Sequence, residues 1–203
     1  MDVAVLDYGI GNLGSLSNAL SYLGHRAILV RDPSQLDGFE RAILPGVGHF
    51  GACASRLREA GFESAIIQRV QAGQWLLGIC VGMQLLFEGS DESGEPGLGI
   101  LPGRVERMRP DVRLPEMQWN RLIIDEPRSM MFAAVPDDPW VYFVHSFAVR
   151  ESVDAVAWED YGTRYVAAVA RGSLLGVQFH PEKSAHTGLN ILASALTDEA
   201  DSR

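Results

Sequence analysis

Short apolar runs constrain the fold before any single residue is weighed. Val3-Ala4-Val5-Leu6, Ala27-Ile28-Leu29-Val30, Ala42-Ile43-Leu44 and Trp75-Leu76-Leu77 are brief and apolar throughout. Runs of this kind predict strands covered on both faces, as in a parallel sheet. The stretches between them are helical. Leu13, Leu16, Leu20 and Leu23 fall on one face of a helix that Gly24 ends. A second helical region covers about 50–72, with a break at Gly61. Strands alternating with helices imply βαβ units.

The pattern changes after Gly89. Residues 90–96 read as an acidic, polar loop. From Leu98 to Ala170 strand signals crowd together at 104–108, 122–124, 141–144, 155–158 and 165–170, with few helices between them. The last buried strand runs from Leu174 to Phe179, a helix follows over about 185–196, and a polar tail covers 197–203. The predicted fold class is therefore α/β: a mostly parallel central sheet with flanking helices and an antiparallel or mixed addition. No repeat or linker interrupts it, so residues 1–203 are read as one domain.

Composition narrows the function classes. Seventeen basic residues face 26 acidic ones, a net charge of −9, which argues against a nucleic-acid binder. Two cysteines, Cys53 and Cys80, make neither a disulfide framework nor a zinc-type spacing. A reducing, cytoplasmic setting fits them. Met1-Asp2 opens the chain without a signal-peptide pattern. The longest apolar run, Trp75 to Phe87, contains Gln84 and falls short of the ~20 residues a membrane helix needs.

Chemistry concentrates in Gly78-Ile79-Cys80-Val81-Gly82-Met83-Gln84. The run before it is a strand, and Val81 and Leu85 begin a helical spacing after it. Cys80 then sits at a strand-to-helix turn with glycines two residues to either side, a nucleophile-elbow layout with sulfur in place of oxygen. Free N–H groups at the helix start favour the reactive thiolate. A lone buried cysteine is more often inert packing, so a matching base has to decide. Gln178-Phe179-His180-Pro181-Glu182 supplies one, also at a strand end. Ligand sites form at that edge of such sheets. Pro181 fixes the chain between His180 and Glu182, and a carboxylate beside an imidazole sets its tautomer. The candidate set is nucleophile Cys80, base His180 and orienter Glu182.

Other groups compete with these. His145, at the end of the 141–144 strand, is the rival base, and His49 reads as a cap on the following helix. Oxyanion donors are the N–H of Val81 and the glycine-rich Pro45-Gly46-Val47-Gly48 loop, with Val47 and Gly48 at the turn. Gly9, Gly11 and Gly14 match a dinucleotide fingerprint, with Asp32 as a weak acidic partner; capping by Asn12 and Ser15 is the plainer reading. A metal held by Cys80, His180 and Glu182 lacks any supporting spacing, so no metal and no cofactor is expected.

Gly78-Ile79-Cys80-Val81-Gly82-Met83-Gln84 and His180-Pro181-Glu182 resemble the signatures of class I (triad-type) glutamine amidotransferases. Asp7-Tyr8-Gly9-Ile10-Gly11-Asn12-Leu13, Pro45 to Phe50, Tyr142 to Ser146 and Phe179 to Ser184 are similar, within that class, to glutaminase subunits of imidazole glycerol phosphate synthase. The resemblance spans about Val3 to Leu192. It implies that Cys80, His180 and Glu182 hydrolyse glutamine. It also implies that the ammonia passes to a (β/α)8-barrel cyclase partner making imidazole glycerol phosphate and aminoimidazole carboxamide ribotide in histidine biosynthesis. By the same resemblance Gln84, Glu92, His145 and Ser146 line the glutamine pocket, and Asn12, Trp119, Asn120 and Lys183 lie at the partner-facing surface. One segment departs: the family tends to Pro-His-Met-Gly-Trp-Asn, where this chain has Pro115-Glu116-Met117-Gln118-Trp119-Asn120. Rival readings are a glutaminase serving an anthranilate or pyridoxal phosphate synthase, a stand-alone γ-glutamyl hydrolase, and a silent interaction module.

Overall fold

A computed structural model describes residues 1–109, 111–125 and 129–197; the polar tail beyond Thr197 lies outside them. The first half alternates as the apolar runs require: β1 (Asp2–Leu6), α1 (Leu13–Tyr22), β2 (Arg26–Val30), β3 (Arg41–Gly46), α2 (Phe50–Glu59), α3 (Phe62–Gln71), β4 (Trp75–Cys80) and α4 (Val81–Gln84). Gly61, at φ 78°, breaks α2 from α3, as the sequence suggests.

Shorter strands follow: β5 (Gly89–Ser90), β6 (Ser93–Pro96), β7 (Arg104–Arg107), β8 (Glu116–Arg121), β9 (Ile123–Ile124), β10 (Trp140–His145), β11 (Phe147–Val149), β12 (Ala155–Asp160), β13 (Arg164–Arg171) and β14 (Leu174–Val177). Helix α5 (Ala185–Thr197) closes the described chain. The main sheet runs β2-β1-β3-β4-β14-β13-β12-β9. Its first five strands pair in parallel, and the remaining pairings are antiparallel. Two smaller sheets, β10-β8 and β11-β7-β5-β6, form the rest of the predicted mixed addition. The α/β class with a parallel centre and an antiparallel extension is as expected.

The central parallel strands have no polar face, whereas the edge strand β2 is buried only at Val30. Every residue of β4 is buried, and β1 and β3 are buried along nearly their whole length. At ~25 cal/mol per Å2 of apolar surface, burying this layer stabilises the fold. It also fixes geometry. The C-terminal ends of β3, β4 and β14 are adjacent, with Gly46 opposite Cys80 and Val177 opposite Ile79.

Two local expectations fail. The helix after Cys80 is a single turn and does not continue through Leu85 to Phe87. Those residues are buried, and the returning segment takes their carbonyls: Leu98 N–H bonds Leu85 O at 2.8 Å, Ile100 N–H bonds Leu86 O at 2.9 Å, and Gly99 N–H bonds Phe87 O at 3.1 Å. The tertiary partners replace the helical ones. The supposed loop at 90–96 contains the hairpin of β5 and β6, whose polar composition suits an edge rather than a core strand.

Candidate active site

Cys80 is the last residue of β4 and the cap of α4, at φ 54° and ψ −115°. A non-glycine residue there is strained, and surrounding structure must enforce the conformation. The glycines allow it. A Cβ on Gly82 would collide with the carbonyl oxygen of Leu44, and one on Gly78 would lie 2.8 Å from the backbone oxygen of Gly82. The elbow is thus pressed backbone to backbone against β3 and β4, a closeness only glycine permits.

His180 follows β14, and its Nδ1 lies 2.9 Å from Oε1 of Glu182. Both side chains are almost wholly buried. Burial pulls the imidazole pKa down, but the hydrogen bonds with Cys80 and Glu182 outweigh it and hold the value at about 10. The imidazole therefore carries a proton near neutral pH, next to sulfur on one side and carboxylate on the other. Cys80, Val81, Gln84, His180, Val47 and Gly48 line one cavity of about 540 Å3. Cys53 is different: burial pushes its thiol up to about 11, so it remains protonated. Its sulfur donates to the Val47 carbonyl at 3.4 Å. Because a trans peptide is planar, the Gly48 N–H must then point away from Cys53. Tyr8 steadies the same loop, its hydroxyl donating to Pro45 O at 2.5 Å.

This is an elbow-mounted thiol and an imidazole in one cavity, with backbone N–H groups at its edge and a buried carboxylate behind the imidazole. The family described as "Glutamine amidotransferase class-I" matches residues 4–197. The chain belongs to the class I glutamine amidotransferases. It is 46% identical over 195 residues to "Imidazole glycerol phosphate synthase subunit HisH" of Synechococcus sp. (strain JA-3-3Ab), covering 94% of this chain and 90% of that protein. It is 44% identical to the protein of the same name from Symbiobacterium thermophilum, covering 95% and 92%. A solved structure titled "Crystal structure of glutamine amidotransferase" superposes with a TM-score of 0.74 at 26% identity, covering 95% of this chain and 98% of that one.

In this amidotransferase the expected pocket residues converge. Gln84, Glu92, His145 and Ser146 all line the cavity. Glu92 is not a free loop carboxylate: its Oε2 accepts the Phe50 N–H at the start of α2 at 2.7 Å. His49 caps that helix as expected, its Nδ1 accepting from Gly51 N–H at 3.1 Å. Asn12 lines the cavity and makes no side-chain cap on α1, so the capping alternative fails for it. Asp32, the weak cofactor candidate, instead accepts from Ser34 N–H within its own turn.

His145 is not a rival base. Its Nδ1 lies 3.1 Å from Phe147 O and its Nε2 3.1 Å from Glu159 Oε1, so both nitrogens face partners other than Cys80. Glu116, Oε2 at 3.7 Å from the same Nε2, completes a buried Glu–His–Glu group. Burial, with the charge of Glu159 beside it, pushes the Glu116 carboxyl up to about 8. Burial lowers His145, but Glu159 and Glu116 outweigh it and raise the value to about 9. Glu116, the departure from the family pattern, thus serves the interior behind the pocket wall.

Trp119 and Lys183 are exposed, and Lys183 reaches the cavity edge. Trp119 packs edge-on against Tyr142 at 6.4 Å. Asn120 behaves otherwise: its amide donates to Glu116 Oε1 at 3.1 Å and Asp160 O at 3.0 Å, so it ties β8 to its own chain. Two groups escaped the sequence reading. Glu159 occupies an inward position of β12 beside buried Ala157, and a charge at such a register position was the available signal. Gln178 was visible only as a letter in a motif.

Proposed function

We propose that the chain is the glutaminase subunit of an imidazole glycerol phosphate synthase, acting in histidine biosynthesis beside a (β/α)8-barrel cyclase subunit. The observation that carries this reading is the sulfur–imidazole–carboxylate relay at the rim of the sheet: Cys80 on its strained elbow, His180, and Glu182 at 2.9 Å from the imidazole.

Cys80 attacks the side-chain amide carbon of glutamine, and the carbonyl oxygen becomes an oxyanion. The N–H groups of Val81 and of the 47–48 turn receive it; one such donor is typically worth on the order of 100- to 1000-fold in rate. Protonated His180 gives its proton to the departing nitrogen, and ammonia leaves with its electron pair. The γ-glutamyl thioester remains on Cys80. His180, now neutral and held by Glu182, takes a proton from water as it attacks, and glutamate departs with the thiol restored. Gln84 has both hydrogens of its amide engaged by Phe147 O and Gln178 Oε1, at 2.9 Å each. Its oxygen is then the group it offers to the substrate ammonium. Glu92 adds a carboxylate at the same wall.

Ammonia should leave through the face carrying Asn12, Trp119 and Lys183, where the cyclase docks. Partner binding would complete the oxyanion site by adjusting the Val47 peptide, whose glycine neighbours make rotation inexpensive. The test is glutamate release by the chain alone, with cyclase, and with cyclase plus its nucleotide. Stimulation by both supports the reading. Full-rate hydrolysis by the isolated chain would refute the gating, and no hydrolysis with any cyclase would refute the function.

A further inference from the structure

Gln178 stands between β14 and His180, with no exposed surface and no place in the cavity lining. Its Nε2 lies 3.7 Å from Cys80 Sγ, a hydrogen-bonding distance for sulfur. Its Oε1 accepts from Gln84 Nε2 at 2.9 Å, and Gln84 Nε2 also donates to Phe147 O at 2.9 Å. The orientation of both amides follows from the far end of this chain. Phe147 O can only accept, so Gln84 must present nitrogen to it. Gln84 nitrogen then needs an acceptor on Gln178, which leaves Gln178 nitrogen facing sulfur. A flip of Gln178 would set two N–H groups head to head and point a carbonyl oxygen at the sulfur.

We propose that Gln178 is a catalytic residue of the glutaminase reaction, holding the Cys80 thiolate by an amide N–H that Gln84 and the Phe147 carbonyl keep aimed. A buried N–H donor favours the anionic over the protonated sulfur, because a hydrogen bond to a charged group is stronger than one to a neutral group. The sulfur then receives two donors, His180 and Gln178, in a site that excludes water from one side. The same chain couples the pocket to the nucleophile. A substrate that engages Gln84 acts on the residue that keeps the thiolate donor in register.

The inference rests on Cys80 being the nucleophile, and the test separates the two. Wild type, Gln178→Leu and Gln178→Glu are compared in iodoacetamide alkylation across pH, with peptide mass mapping to score Cys80 apart from Cys53. Leucine removes the donor. Glutamate keeps the acceptor for Gln84 but sets a carboxylate against the sulfur. Near neutral pH the Leu variant should react roughly tenfold more slowly than wild type, and the Glu variant more slowly still. At strongly alkaline pH the three rates should converge, which a merely structural role would not produce. Superimposed profiles from folded variants overturn the inference and leave the glutaminase reading intact. Failure of wild-type Cys80 to alkylate at all overturns the glutaminase reading itself. If neither variant folds, the side-chain amide of Gln178 is followed by NMR in wild type and in Cys80→Ser. Titration of that amide signal with pH in wild type, lost in Cys80→Ser, supports the contact; an unchanged titration refutes it.

Discussion

Replacing Glu182 by glutamine isolates the orienting carboxylate. The change keeps volume and removes charge from a side chain buried beside His180. Oε1 accepts at 2.9 Å from the imidazole, while Oε2 is a buried atom with no hydrogen-bond partner among the described residues. The 180–182 bond is therefore the main polar contact of this carboxylate. A buried hydrogen bond between charged groups is worth about 1.5–3 kcal/mol, which alone is roughly 10- to 150-fold in rate. Glutamine adds a second fault. Its amide can donate to Nδ1, which places the imidazole hydrogen on Nε2 and leaves nothing there to accept a proton from thiol or water. The corresponding Asp→Asn change in a serine-protease triad lowers turnover about 10,000-fold. Glu182→Gln should fall between these limits, losing about 100- to 10,000-fold in kcat. KM should change little, because the carboxylate does not bind substrate. The assay is steady-state glutamate release in the presence of saturating cyclase and nucleotide. A kcat within about threefold of wild type would show that the imidazole needs no orienter, and the relay argument would fail.

Other consequences are more local. Gly82→Ala drives a methyl group into the Leu44 carbonyl; overpacking of this kind costs about 1–3 kcal/mol, a drop of several degrees in Tm by calorimetry. Glu116 carries its proton to about pH 8 in the folded chain against an ordinary 4.5, and His145 to about 9 against 6.5. The folded state thus binds more protons across these windows, and stability must fall as pH rises through them. Denaturant titrations should show Glu116→Gln losing less stability than wild type between pH 5 and about 8. Trp119→Ala should weaken cyclase binding about tenfold or more by calorimetry, as expected for an aromatic anchor. It should leave Cys80 alkylation in the free chain unchanged.

The architecture was legible where burial is uniform. β1, β3 and β4 announce themselves as apolar runs because both their faces are covered. The strands at 116–121 and 147–149 did not, since β8 exposes Met117, Gln118 and Trp119 in succession and looks like surface. The one-turn helix after Cys80 was overread because Val81 and Leu85 keep helical spacing, while the carbonyls of Leu85 to Phe87 bond to residues 98–101, a partner no local pattern encodes. Cys80, His180 and Glu182 were legible because their chemistry is carried by motif and position at strand ends. The Glu116–His145–Glu159 group was not, because each member looks ordinary alone and only strand pairing of β8 with β10, and of β12 beside them, gathers the three. Gln178 was hidden for the same reason: its role lies in which way an amide faces.

The most direct measurement is mass spectrometry of the chain, mixed with cyclase and nucleotide, after rapid acid quenching during glutamine turnover. The account predicts a γ-glutamyl adduct on the peptide containing Cys80, absent in Cys80→Ala together with all glutamate release. An adduct on another residue, or continued glutamate release by Cys80→Ala, would contradict it.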